Sequence, residues 1–271
     1  MNLLAARVVL RPRSLGDVLD LTVPFCLSNR RLLWRLGLTS LLPAFALCLY
    51  VHFGRQWTWA QTWLLAVGLG DVLEGLFTTA FGELLFQQPE AVRPAAIWGR
   101  FGRRLGSYLF ALLVARVLLA LSVLFVPVTP FAAVHLLFVR EVGLLEGASV
   151  FASIARSYRF VQRQVGACLG LLMGLLAAPA MMAMGAELLG DAVVDTVLQL
   201  GSPFGELFKQ GGSAYALLGF FLSVPVVAGA RFLKYIDVRT RKEGWDIQLR
   251  FTAIAAAERD LHAERTGSTA A

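Results

Sequence analysis

Asp71 and Glu74 stand three residues apart inside the apolar stretch TWLLAVGLGDVLEGLFTTAFG, and Arg116 stands inside SYLFALLVARVLLALSVLF. An ionised side chain in hydrocarbon costs at least ~2.5–3.5 kcal/mol on insertion scales, so such residues are few and are paired or wetted. The three-residue spacing puts both carboxylates on one helix face. Arg116 falls at matching depth on the next, antiparallel stretch, so a bridge to one or both acids follows. The cluster has two possible uses. It fixes helix pairing as a static salt bridge, or it forms the polar site of a cavity for a substrate or proton. No further run of polar residues traces a path across the bilayer, and both uses stay open.

Other chemistry is absent from the sequence pattern. His52, His135 and His262 are dispersed, and no HExxH, GxSxG, Walker A or paired CxxC occurs. Metal-assisted hydrolysis needs clustered histidines and carboxylates around a metal. The expectation is a non-enzymatic protein with no cofactor and no metal site. Cys26, Cys48 and Cys168 have neither metal-ligand spacing nor an even count, and are read as buried reduced thiols.

The elements that position the charged trio are membrane helices. The chain of 271 residues is 57% hydrophobic and 16% charged, against about 25% charged in soluble domains, and its mean hydropathy is +0.66. The net charge of +7 falls on no long polar segment, so anionic lipid is the expected partner and nucleic acid is not. The start, MNLLAARVVLRPRS, has too short an apolar core for a signal peptide. A spanning helix needs about 20 mostly apolar residues. Six segments meet or approach this: about 33–53, 61–85, 106–126, 128–143, 165–188 and 213–234. The fourth is short and ends on Arg140 and Glu141, and Pro127 and Pro130 set a tight turn before it. The predicted fold is an all-α integral membrane bundle over residues 1–250, with a short tail at 251–271.

Basic residues alternate with this pattern. They crowd residues 1–32, the second-to-third and fourth-to-fifth connections, and the tail, and are sparse in the other connections. The bias toward the cytoplasm places both termini there, in a bacterial cytoplasmic membrane. Two polar-side segments have helical periodicity. In the N-terminal amphipathic helix, 14–28, Leu15, Val18, Leu19 and Thr22 share a face, and Ser14 with Asp17 resembles a capping box. In EGASVFASIARSYRFVQRQVG, Val150, Phe151, Ile154, Tyr158, Val161 and Val165 share a face, with Arg156, Arg159 and Arg163 on another. Such helices either lie in the interface with arginines on lipid phosphate, or pack on the base of the bundle. Gly166, Gly170, Gly174 and Ala178 form a small-residue ridge suited to close helix packing. Pro179 and Pro225 interrupt their helices as ordinary kinks.

After the last apolar stretch comes RFLKYIDVRTRKEGWDIQLRF. Tyr235 and Trp245 suit the headgroup level. Interleaved acids and bases suit a docked patch, in which Asp237, Glu243 and Asp246 pair with Arg156, Arg159, Arg163 or the N-terminal arginines. The helix is expected to run on briefly and turn at Gly244.

Three stretches together resemble the glycerophosphoryl diester phosphodiesterase membrane-domain family and related bacterial six-helix membrane proteins. Arg13, Ser14, Leu15, Gly16, Asp17, Leu19 and Asp20 match its opening motif. Glu146, Gly147, Ser157 and Arg163 match its central segment. Tyr235, Asp237, Arg239, Arg241, Glu243, Gly244 and Asp246 match its closing signature, with Val238 where leucine is commoner. The resemblance implies a six-helix bundle without the catalytic domain that gives the family its name. The expected function is a scaffold or accessory subunit that holds a membrane-protein partner or lipid at a basic cytoplasmic face. The alternative is a transporter or channel-like protein with its polar site at Asp71, Glu74 and Arg116.

Overall fold

The computed structural model describes residues 14–85, 87, 92–199 and 203–243. All regular structure among them is helical. Ser14 caps α1 (Leu15–Ser28) and exchanges hydrogen bonds with Asp17, completing the capping box. The chain passes through Asn29 into α2 (Arg30–Leu49), which ends in a π-helical turn, Tyr50–Gly54. Thr58 and Gln61 form a second capping box at the start of α3 (Trp59–Leu84). Pro94, whose missing N–H costs nothing at a first turn, opens α4 (Pro94–Ser122). A 3-10 segment, Val123–Val128, leads to α5 (Thr129–His135), the single turn α6 (Val139–Glu141) and a π-helical turn, Val142–Glu146. Then come α7 (Val150–Val161), α8 (Val165–Asp191), the short α9 (Leu207–Gln210) and α10 (Ala214–Glu243).

This is an all-α, membrane-helix-rich protein. Five stretches are long and apolar enough to cross a membrane: Arg30–Gly54, Trp59–Leu84, Pro94–Glu146, Val165–Val194 and Ala214–Lys242. The sequence divides the third into two spans. In the structure α4 turns at the 3-10 segment, where Phe125 leaves helical geometry, and packs against α5, α6 and the turn after it. The return arm is broken at Leu136–Phe138.

That break explains the orientation of α7. Its buried face is Val150, Ser153, Ser157, Phe160 and Val161, whereas Phe151 and Tyr158, expected on the apolar face, are exposed. Ser157 Oγ accepts from the Phe138 N–H at 3.1 Å and donates to the His135 carbonyl at 2.6 Å. Backbone groups freed by the break need such partners, because an unpaired buried group costs about 1–3 kcal/mol. An apolar side chain at 157 offers none, so the serines turn inward.

At 30 residues, about 45 Å, α10 exceeds the ~30 Å hydrocarbon depth. It packs against α1, α2, α3, α7 and α8 and is the hub of the bundle. At Gly219 a Cβ would lie 2.3 Å from the Met182 carbonyl oxygen, so this glycine permits the close approach of α10 to α8. The ridge on α8 serves a different neighbour: a Cβ at Gly170 would meet Leu15 Cδ2 of α1 at 2.6 Å. Helix α1 is thus docked on the bundle through Val18, Thr22 and Phe25, while Leu19, Val23 and Leu27 form an apolar outer stripe. The three cysteines are free, and burial pushes the Cys26 thiol up to about 11.

Candidate functional site

Asp71 lies near the middle of α3, about 18–20 Å from either end. The register of α3 and α4 is set by three contacts. Glu83 pairs with Arg100, the Tyr108 hydroxyl donates to the Asp71 carbonyl at 2.5 Å, and Arg116 Nη2 pairs with Asp71 Oδ2. Arg116 reaches Asp71 and not Glu74.

Two further arginines complete the network. Arg140 of α6 donates through Nη2 to Asp71 Oδ1 at 2.6 Å and through Nη1 to Glu74 Oε2, bridging both acids. Arg231 of α10 donates to the same Glu74 oxygen at 2.8 Å. Behind it lies Glu141, whose Oε1 is 3.9 Å from Arg231 Nε. Neither oxygen of the fully buried Glu141 carboxyl accepts a hydrogen bond among the described residues. Four elements therefore converge on the two acids: α3, α4, α6 and α10. The sequence trio is the core of the site, but Arg140, Arg231 and Glu141 escape it. One signal was available: two acids and one arginine at mid-depth leave a carboxylate without a cation.

The network forms one wall of a cavity of about 620 Å³, within the ~300–1,000 Å³ of ligand pockets. Asp71, Glu74, Arg116, Arg140 and Arg231 supply its charge, and the remaining lining is largely apolar, including Leu119, Leu172, Met173, Leu176 and Phe220. Four of the five charged side chains are 11–15% exposed, whereas Arg116 is 48% exposed. Of the five N–H donors of Arg116, one has a partner among the described residues.

The C-terminal signature lies at the other end of α10. Phe232 through Val238 are buried without interruption. Lys234, 1% exposed, donates to Asp237 at 2.7 Å and to Gln164 at 3.1 Å. Arg241 reaches Asp237 at 3.0 Å. Asp237, turned inward beside Lys234, is thus held by Lys234 and Arg241, three and four residues away on its own helix. The Tyr235 ring sits between Phe138 and Phe160, fully buried in protein, and its hydroxyl donates to Glu146 at 2.5 Å. Arg239 donates to that hydroxyl at 3.3 Å. Arg156 pairs with Glu146 at 2.7 Å and lies over the Phe160 ring, so it is turned to the bundle and separated from the exposed Arg159 and Arg163. Glu243 ends the helix, and Gly244, Trp245 and Asp246 lie outside the described residues.

A further buried acid, Glu187, anchors a loop. It is buried on α8, where its carboxylate accepts from the Leu207 N–H at 2.7 Å and from the Ser213 hydroxyl, holding the loop before α10. Among the described residues no group of three or more His, Cys, Asp or Glu could hold a metal ion.

Comparisons with family models, with curated proteins and with solved structures gave no match.

Proposed function

We propose that this integral membrane protein binds a small molecule in its intramembrane cavity and handles it in the manner of a transporter. One observation supports this: the mid-membrane charge network borders a cavity instead of being packed shut, and Arg116, which lines it, has one of its donors paired among the described residues and is 48% exposed. A network serving only to pair helices has no need of an uncovered guanidinium at a depth where solvation is poor. This gives the transport reading the advantage over the scaffold. The reading includes six crossings, with the α4–α5 hairpin counted as two. It also places both termini in the cytoplasm of a bacterial inner membrane, with lipid around the bundle, and keeps the resemblance to the phosphodiesterase membrane-domain family.

Native mass spectrometry on protein extracted gently from its own membrane tests the reading. The expected result is a stoichiometric small molecule, lost in an Ala115→Trp variant that fills the cavity. A ligand-free bundle that carries only a partner protein overturns it in favour of the scaffold.

A further inference from the structure

The cavity wall has an uneven charge. Its lining holds three guanidiniums, Arg116, Arg140 and Arg231, against two carboxylates, Asp71 and Glu74. The third acid, Glu141, is outside the lining, behind Arg231. Arg140 spends donors on both acids and Arg231 is committed to Glu74, so the open cation is Arg116. A guanidinium's planar fork fits a carboxylate or phosphate.

The rest of the lining fits no small hydrophilic ion. From the charged wall the surface continues as hydrocarbon along Leu119, Leu172, Met173 and Leu176. Met173 and Leu176 line the cavity and are 50% and 62% exposed, so the cavity is open along this part of α8. The mouth therefore opens on the apolar flank of the bundle, beside the hairpin, where the bilayer would lie.

Resting on the reading of the cavity as a ligand site, we infer that its ligand is a single-chain anionic amphiphile taken laterally from the bilayer. Its headgroup sits on Arg116 and its chain lies along α8. The headgroup brings the one negative charge that the lining lacks, and the chain covers apolar surface that water would otherwise meet.

Binding of three labelled probes to the full chain in zwitterionic nanodiscs tests this: oleate, oleyl alcohol and butyrate. Oleate carries charge and chain, oleyl alcohol the chain alone, and butyrate the charge alone. A charge-assisted hydrogen bond of about 1.5–3 kcal/mol corresponds to roughly 10–100-fold in affinity. Oleate is expected to bind more tightly than oleyl alcohol by at least about 10-fold, and butyrate not to compete. Arg116→Gln should bring oleate down to the alcohol's affinity. Leu176→Trp, which obstructs the chain path without touching a charge, should weaken both long-chain probes. Equal affinity for oleate and oleyl alcohol overturns the anionic headgroup and leaves the ligand cavity standing. Butyrate binding as well as oleate overturns the membrane source in favour of a water-borne anion. No saturable binding by any probe, together with ligand-free protein from the native membrane, overturns the cavity reading itself.

Discussion

Two clusters of buried charge occupy α10, and they are built differently. At its C-terminal end Lys234, Asp237, Gln164 and Arg241 are joined by hydrogen bonds, with Tyr235, Glu146, Arg156 and Arg239 beside them. This cluster is packed between α7, α8 and the turn before α7. Near mid-helix, Arg231 joins Asp71, Glu74, Arg116 and Arg140 on a cavity wall, where one guanidinium remains half uncovered. The same residue types thus close the protein at one level and leave it open at another. A closed cluster acts through stability. An open one keeps unspent donors, and a ligand can use them.

If that distinction holds, substitutions should separate by readout. Asp237→Ala strips the buried Lys234 of its carboxylate in a dry site, where removing one partner of a buried pair costs about 3–5 kcal/mol. Thermal unfolding in detergent should show the largest loss of the series. Replacing Lys234 and Asp237 together by Met and Leu should recover much of it, because two well-packed apolar groups leave no orphaned charge. Unchanged melting of Asp237→Ala would falsify the closed cluster.

Glu74→Gln keeps an amide oxygen but removes the negative charge shared by Arg140 and Arg231 and should cost about 1–3 kcal/mol, less than Asp237→Ala because water can enter from the cavity. A larger loss than at Asp237 would mean that the cavity wall is the stiffer of the two. Tyr235→Phe keeps the aromatic packing but deletes the hydroxyl on Glu146. Arg156 still faces that carboxylate, so about 1 kcal/mol is expected by the same melting measurement. Arg116→Gln should be the mildest, below about 1 kcal/mol, since Arg116 is half exposed and Asp71 retains Arg140. Its effect belongs in ligand binding. A severe melting defect for Arg116→Gln with normal binding would invert the comparison.

Much of this was legible in the sequence, for identifiable reasons. Long apolar runs announce membrane helices because hydrocarbon tolerates little else. The placement of Asp71, Glu74 and Arg116 at one depth follows from rise per residue alone. Arg140 and Arg231 were hidden because both stand near the drawn edge of a span, where a cation reads as an interfacial residue. Arg231 stands on a helix that, as expected, runs on past the span to Glu243, and the arm carrying Arg140 is broken at Leu136–Phe138. The face of α7 was misread because hydropathy treats serine as outward-facing, while Ser157 serves backbone groups at a break that no periodicity announces. The pairing of Asp237 with Lys234 and Arg241 was readable from spacing alone, since they lie three and four residues away on its own helix.

The hub position of α10 has a consequence for how the protein is made. Chain order brings α10 into the bilayer after every other long helix. Until it arrives, α1, α2, α3, α7 and α8 lack the surface they share, and of the two cations that hold Glu74 only Arg140 is present. A fault in α10 should therefore strike late in biogenesis. The earlier helices would already be inserted but unassembled, and the defect would register as turnover by membrane proteases more than as failed insertion.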